Sequence, residues 1–161
     1  MTVASPMAAS ASPSDPLPKL DSFLGYMLKR TFNAVHANLT VTLAQFELRM
    51  VTYSALVIIS ENRGLRQAEL AERLKIDRGN AVAIIDELES RQLMTRDPHP
   101  DDRRSYALNI TPKGLDLCSA AIAADRQCEA RILSGLTEEK MRELFATLRD
   151  IEDAALSNLR Q

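Results

Sequence analysis

Residues 97–114 read Asp97-Pro98-His99-Pro100-Asp101-Asp102-Arg103-Arg104-Ser105-Tyr106-Ala107-Leu108-Asn109-Ile110-Thr111-Pro112-Lys113-Gly114, and they restrict the fold more than any other stretch. Two prolines and three aspartates force the chain to turn, with a double arginine at the exit. Tyr106, Leu108 and Ile110 then alternate with small or polar residues, the period of a half-buried strand. Thr111-Pro112 supplies an N-cap and a first-turn proline, so a helix starts at once. A short β-ribbon with arginines near its tip, behind a helix-rich segment, has the shape of a winged helix-turn-helix. Such a ribbon can lie along a DNA backbone or push into a minor groove, so DNA binding leads the expectations.

At 161 residues the chain is long enough for one real core but not for two independent ones. With 5 glycines and no tryptophan amid abundant alanine and leucine, the composition favours a mostly α fold with a small β-wing. The formal net charge is -2, so the chain as a whole does not advertise nucleic acid. A local basic ridge matters more than the sum. Arg63, Arg66, Arg73, Arg78, Arg91, Arg96, Arg103 and Arg104 gather where a winged helix needs them, and the C-terminal third leans acidic. No apolar run suits a bilayer span, and the first residues lack the pattern of a secretory signal. The expected location is the cytoplasm, with no membrane partner.

Residues 1–18 are alanine, serine and proline with little charge, a composition expected to form a flexible tail. Helical spacing of Leu20, Leu24, Met27, Leu28, Thr31 and Val35 predicts a helix over 19–39. Thr42-Leu43-Ala44-Gln45 fits a capping box, which predicts a buried central helix over 43–60. A short helix over 67–74 should turn Ala68, Leu70, Ala71 and Leu74 inward. Asp77 should cap a second over 78–91, with Ala81, Ile84, Ile85 and Leu88 inside. A helix over 112–133 should end at Ser134-Gly135 in a left-handed cap, and Thr137 should open the last one. The first and the last two helices carry long apolar faces that a monomer would leave wet. A two-fold homodimer with interlocked terminal helices is expected.

Enzyme chemistry finds no support. The two histidines, His36 and His99, and the two cysteines form no pair at metal-ligand spacing, and no phosphate loop or nucleophile elbow occurs. No metal or other cofactor is expected. Cys118 and Cys128 stand ten residues apart on one predicted helix, about 15 Å along its axis, too far to bond within it. Buried thiols are the ordinary reading. A thiol-based redox regulator of the same fold, or a winged helix turned protein-interaction module, are the alternatives.

From about Leu20 onward the chain resembles the MarR family of bacterial transcriptional regulators. The matching pieces are Gln45-Phe46, Gln67-Ala68-Glu69-Leu70-Ala71, Ile85-Asp86-Glu87-Leu88-Glu89 and, most specific, the wing from Asp97-Pro98 through Asp102-Arg103-Arg104 to Lys113-Gly114. The resemblance implies one MarR-type domain over 19–161, with a winged helix-turn-helix at 43–111 and dimerisation helices at 19–39 and 112–161. It further implies a homodimer on a pseudo-palindromic operator of double-stranded DNA, usually as a repressor, and a small-molecule pocket between the dimer base and the DNA-binding lobe. Leu24-Gly25-Tyr26-Met27-Leu28-Lys29-Arg30 with Asn62-Arg63-Gly64-Leu65-Arg66-Gln67 is similar to members that control aromatic-acid catabolism, some of which sense aryl-CoA thioesters. The chain departs from the family at Arg66, where a capping threonine is common. It departs again at Val82 and Ala83, where threonine and arginine are frequent.

The expected DNA contacts are Arg66, Arg78, Gly79, Asn80, Val82, Ala83, Arg103 and Arg104. Arg103 and Arg104 suit a minor groove or its phosphates, and Arg104 could instead brace the wing against Asp102 or Asp86. Asn80 can pair with adenine or face phosphate, and Arg78 suits phosphate positioning. Tyr26, Lys29, Arg30, His36, Arg49 and Tyr53 are candidates for contact with an anionic aromatic effector. Ordinary packing is the competing reading for His36 and Tyr53, and an ion pair for Arg49. Removing charge at Lys29 or Arg49 is expected to weaken effector binding and leave DNA affinity intact.

Overall fold

The computed structural model describes residues 19–99 and 102–159, without the side chains of 102–104. The tail at 1–18 and the wing tip at 100–101 lie outside the described residues. Two compact units divide after Ala34. In the first, a 3₁₀ turn over Leu20–Ser22 leads into helix α1, Leu24–Ala44. There Leu24, Phe23, Met27 and Phe32 are exposed apolar side chains.

The second unit holds the rest of α1, then α2 (Met50–Glu61), β1 (Leu65–Arg66), α3 (Gln67–Leu74), α4 (Arg78–Ser90), β2 (Met94–His99), β3 (Asp102–Ile110), α5 (Pro112–Ile132) and α6 (Glu138–Asn158). The strands form one antiparallel sheet in the order β1-β3-β2. Leu43, Leu56, Ile59, Leu70, Ile85, Leu88, Leu93, Met94 and Leu108 make a core shared by helices and sheet. Among the described residues, no helix is long and apolar enough to cross a membrane.

Caps form where hydroxyl and carboxylate side chains allow them. Asp77 accepts from the Asn80 N–H, Thr111 from Gly114 and Thr137 from Lys140. The inward face of α4 is as expected, with Ala81, Ile84, Ile85 and Leu88 all buried. On α3 only Leu70 and Ala71 are buried, Leu74 is half-buried, and Ala68 faces out.

The break between the first two helices differs from the capping-box expectation. α1 runs on to Ala44, with the Thr40 and Thr42 hydroxyls donating back to the carbonyls of His36 and Asn38 inside the helix. The reversal falls at residues 45–49, where Glu47 takes a left-handed φ of 53°, and Arg49 is the N-cap of α2. Arg49 therefore stands at the head of the central helix, not within it. The expected left-handed cap at Gly135 is also absent: α5 ends at Ile132 and Gly135 keeps an ordinary φ.

The returning strand is half-buried, but not in strict alternation. Ala107 and Leu108 are both buried and Tyr106 is exposed. Asp97 and Pro98 lie in the strand, paired with Ala107 and Tyr106, and β2 and β3 slip register only beyond them, between Pro98 and His99. The first turn of α5 is stitched to the turn after α4. The Thr111 N–H donates to the Leu93 carbonyl at 3.1 Å, the Thr111 hydroxyl to Gln92 at 2.8 Å, and Lys113 to the Arg91 carbonyl at 2.8 Å. α6 buries none of its residues; Leu144, Phe145, Leu148 and Leu156 form an exposed apolar row.

Candidate nucleic-acid interface

α3 and α4 are joined through Lys75, which takes a left-handed φ of 55°, then Ile76 and Asp77. Asp77 holds the entry of α4 twice: Oδ1 accepts the Asn80 N–H at 2.9 Å, and Oδ2 accepts the Asn80 side-chain amide at 2.5 Å. The Asn80 backbone bond, above all, keeps the Asp77 carboxyl below the usual aspartate range. Because the folded value is lowered, the cap is fully formed above ordinary aspartate titration. It weakens as pH falls through the lowered value.

On α4 the outward residues Arg78, Gly79, Asn80, Val82, Ala83 and Asp86 are all exposed, so the structure gathers the sequence-expected reading residues on one face. Arg66 is exposed at the N-cap of α3. A guanidinium has no acceptor, so it cannot cap as threonine does. Glu69 supplies half of a capping box by accepting the Arg66 N–H at 2.8 Å. The backbones of Arg103 and Arg104 lie on β3, while their side chains fall outside the described residues.

The wing is braced by a residue that sequence reading placed only in the general basic ridge. Arg96 on β2 pairs with Asp86 and, at 2.9 Å, with Glu89, both on α4. Asp86, offered above as a brace for Arg104, is thus engaged by Arg96. The Asp86 hydrogen bond, with the Glu89 charge adding to it, makes the Arg96 guanidinium harder to deprotonate. Arg96 follows buried Met94 by two positions and pairs across with Leu108, so it sits on the inner face of its strand. A charge at an inward position of a period-2 pattern needs a partner, and that was the available signal.

The effector candidates divide between the two units. In the first, the Arg30 guanidinium lies 5.6 Å from the Tyr26 ring centroid, and Lys29 is exposed. In the second, a pocket of about 530 Å³ is lined by His36, Thr40, Ala44, Leu48, Arg49, Met50 and Val51. It brings His36 and Arg49 together on a largely apolar wall. Arg49 also donates to Glu87 of α4 at 2.5 Å, an ion pair between helices. Tyr53 is a packed residue: buried, it donates to Asp125 of α5 at 2.9 Å, and burial followed by that bond pushes its pKa up.

Cys118 and Cys128 are free thiols, both buried. Burial raises the Cys118 pKa, which keeps the nucleophilic thiolate scarce. Native protein is therefore expected to leave Cys118 unmodified under peroxide that oxidises the unfolded chain, as read by intact-mass spectrometry. Rapid oxidation of folded protein would restore the redox alternative. Among the described residues, no group of three or more His, Cys, Asp or Glu could hold a metal ion.

Two short helices, a capped second helix with an exposed outward face and a ribbon braced to it define a winged helix-turn-helix. Comparison with known proteins agrees. The sequence is 32% identical over 114 residues to a putative transcriptional regulatory protein for the hcr operon of Thauera aromatica, covering 68% of this chain and 69% of that protein. The structure superposes on a transcriptional repressor, CouR, bound to a 23-mer DNA duplex, with TM-score 0.79 and 34% identity over 83% of this chain and 94% of that one. It also matches CouR from Rhodococcus jostii RHA1 bound to p-coumaroyl-CoA, with TM-score 0.76 and 29% identity over the same shares. Residues 48–106 match the MarR family, and the chain belongs to that family of transcriptional regulators.

Proposed function

We propose that the protein is a homodimeric, cytoplasmic repressor that a small aromatic anion, either an aromatic acid or an aryl-CoA thioester, releases from a pseudo-palindromic operator. The likeness to CouR over 94% of its length carries this reading, because one such protein is held on DNA and another holds p-coumaroyl-CoA. Residues 43–111 then form the DNA-reading lobe. Segments 19–39 and 112–161 form the dimer base, where the apolar row of α6 would be covered by a second copy. Arg66, Arg78, Gly79, Asn80, Val82, Ala83, Arg103 and Arg104 face DNA. Of the effector candidates, His36 and Arg49 are favoured by their shared pocket, while Tyr26, Lys29 and Arg30 remain candidates in the first unit. Tyr53 contributes packing.

Selection from a random duplex pool, followed by sizing in solution, tests the output. A dimer that enriches a two-fold site is the expected result, and a monomer or an unenriched pool would end this reading. A thermal-shift screen of aromatic acids and their CoA thioesters, followed by operator competition, tests the input. Ligand and operator must weaken one another by the same factor. A bound compound that leaves operator affinity unchanged is not the effector.

Asn80→Ala is expected to cost about 1–3 kcal/mol on the selected site and to relax one base pair per half-site. Reading a base requires the Asn80 amide to leave Asp77, which works against the gain. Equal losses on selected and random DNA would place Asn80 on the backbone.

A further inference from the structure

We infer that Arg49 is a shared group: it holds Glu87 of α4 in the effector-free protein and passes to the anionic group of an effector seated at the head of α2. The inference rests on the effector reading above. The segment between α1 and α2 is tied to α4 at two points, in opposite senses. Arg49 reaches out from the N-cap of α2 to Glu87 at 2.5 Å. Arg91, the C-cap of α4, reaches back to the carbonyls of Phe46 and Glu47 at 2.9 and 2.7 Å. The same segment supplies Leu48 and Arg49 to the pocket wall, next to Met50 of α2 and beside His36 and Thr40. Pocket and reading helix thus have one guanidinium in common.

The two ends of the pair sit in different surroundings. The Arg49 side chain is 71% exposed, so water and salt screen the bridge and it is cheap to open. The Glu87 side chain is only 29% exposed. Its other partner, the buried Thr52 hydroxyl, donates from 3.4 and 3.5 Å, too far for a strong bond. Loss of Arg49 leaves a half-buried carboxylate poorly paired, and that cost falls on α4. An effector of ordinary affinity can therefore take the guanidinium, and the consequence reaches the helix that faces DNA. Glu87 lies one turn beyond Ala83, so a rigid helix carries a shift at one to the other. A neutral aromatic compound would leave the pair closed. The ligand needs an anionic oxygen, from the carboxylate of a free acid or the phosphates of a CoA thioester. For Arg49, the separable effects expected from sequence give way to coupled ones: its removal lowers both effector and operator affinity.

Calorimetry with p-coumarate, p-coumaroyl-CoA and neutral methyl p-coumarate tests this on wild type, Arg49→Gln and Glu87→Gln, with operator affinity measured with and without each compound. An anionic compound is expected to weaken wild-type operator binding about fivefold or more, within the usual range of allosteric coupling. It should bind Arg49→Gln at least about tenfold more weakly. It should bind Glu87→Gln more tightly than wild type, since its competitor is gone, and no longer alter operator affinity there. A merely structural pair lowers stability or operator affinity in both variants but cannot raise effector affinity in Glu87→Gln, whose amide keeps the side-chain shape. Release by p-coumarate assigns the carboxylate, and release by the thioester alone assigns the phosphates. Unchanged binding to Arg49→Gln, full coupling in Glu87→Gln, or release by the methyl ester overturns the shared guanidinium and leaves effector-relieved repression standing. If neither anion binds wild type, the aromatic-anion reading falls and this inference falls with it.

Discussion

Gly114→Ala is expected to destabilise the protein by about 3 kcal/mol or more, the upper part of the range for overpacking a tight site. A Cβ on Gly114 would lie 1.9 Å from the Leu93 carbonyl oxygen, 2.8 Å from its carbon and 3.0 Å from Ile110 Cγ1. The first of these is backbone, so no side chain can rotate away. Alanine normally gains about 0.5–1 kcal/mol over glycine inside a helix, and here the clash exceeds that gain. Relief requires α5 to lift from the turn after α4, which breaks the Thr111–Leu93, Thr111–Gln92 and Lys113–Arg91 bonds together. Urea unfolding at fixed protein concentration measures it through the midpoint, with the slope unchanged. A midpoint at the wild-type value would mean that α5 does not rest on Leu93.

Replacing Arg103 and Arg104 with alanine, singly, should each lower operator affinity at least about tenfold, and each lost phosphate contact should reduce the salt slope by about one. Both residues lie on β3 just beyond the tip, on a ribbon held to α4 by Arg96. Because β2 is tied to α4, the strand backbone that carries the two arginines belongs to a ribbon anchored on a helix. Binding that is unaffected from low to high salt would show that the wing is not a DNA element in this protein. Arg96→Met makes a useful contrast: it should loosen the wing and lower affinity with little change in salt slope, since Arg96 is engaged within the protein.

Much of the architecture was legible because it is decided within one helical turn. Asp77, Thr111 and Thr137 name three helix starts, since a cap needs only a side-chain oxygen and an N–H three residues on. The buried face of α4 follows from a 3.6-residue period that packing respected. Where a second segment intervened, local reading failed. The same residues that suggested a capping box at Thr42 lie within and just after α1, because Arg91 reaches the carbonyls of Phe46 and Glu47 from 45 and 44 residues away and supports a reversal there. Tyr106 was expected inside and is exposed: it pairs in unbroken register with Pro98 and so shares a strand face with buried Leu108, but it lies nearer the ribbon tip, where the core no longer covers that face.

The candidate site divides in the same way. By itself the sequence determined that a short helix pair with Arg78, Asn80, Val82 and Ala83 turned outward precedes an arginine-bearing ribbon, since periodicity and capping are short-range properties of the chain. The tertiary structure alone decided what each charge meets: Arg96 on Asp86 and Glu89, Arg49 on Glu87, Tyr53 on Asp125. Charges and hydroxyls are satisfied by whatever lies within about 3 Å. Those neighbours come from segments 7 to 72 residues apart, brought together only when the apolar core closes.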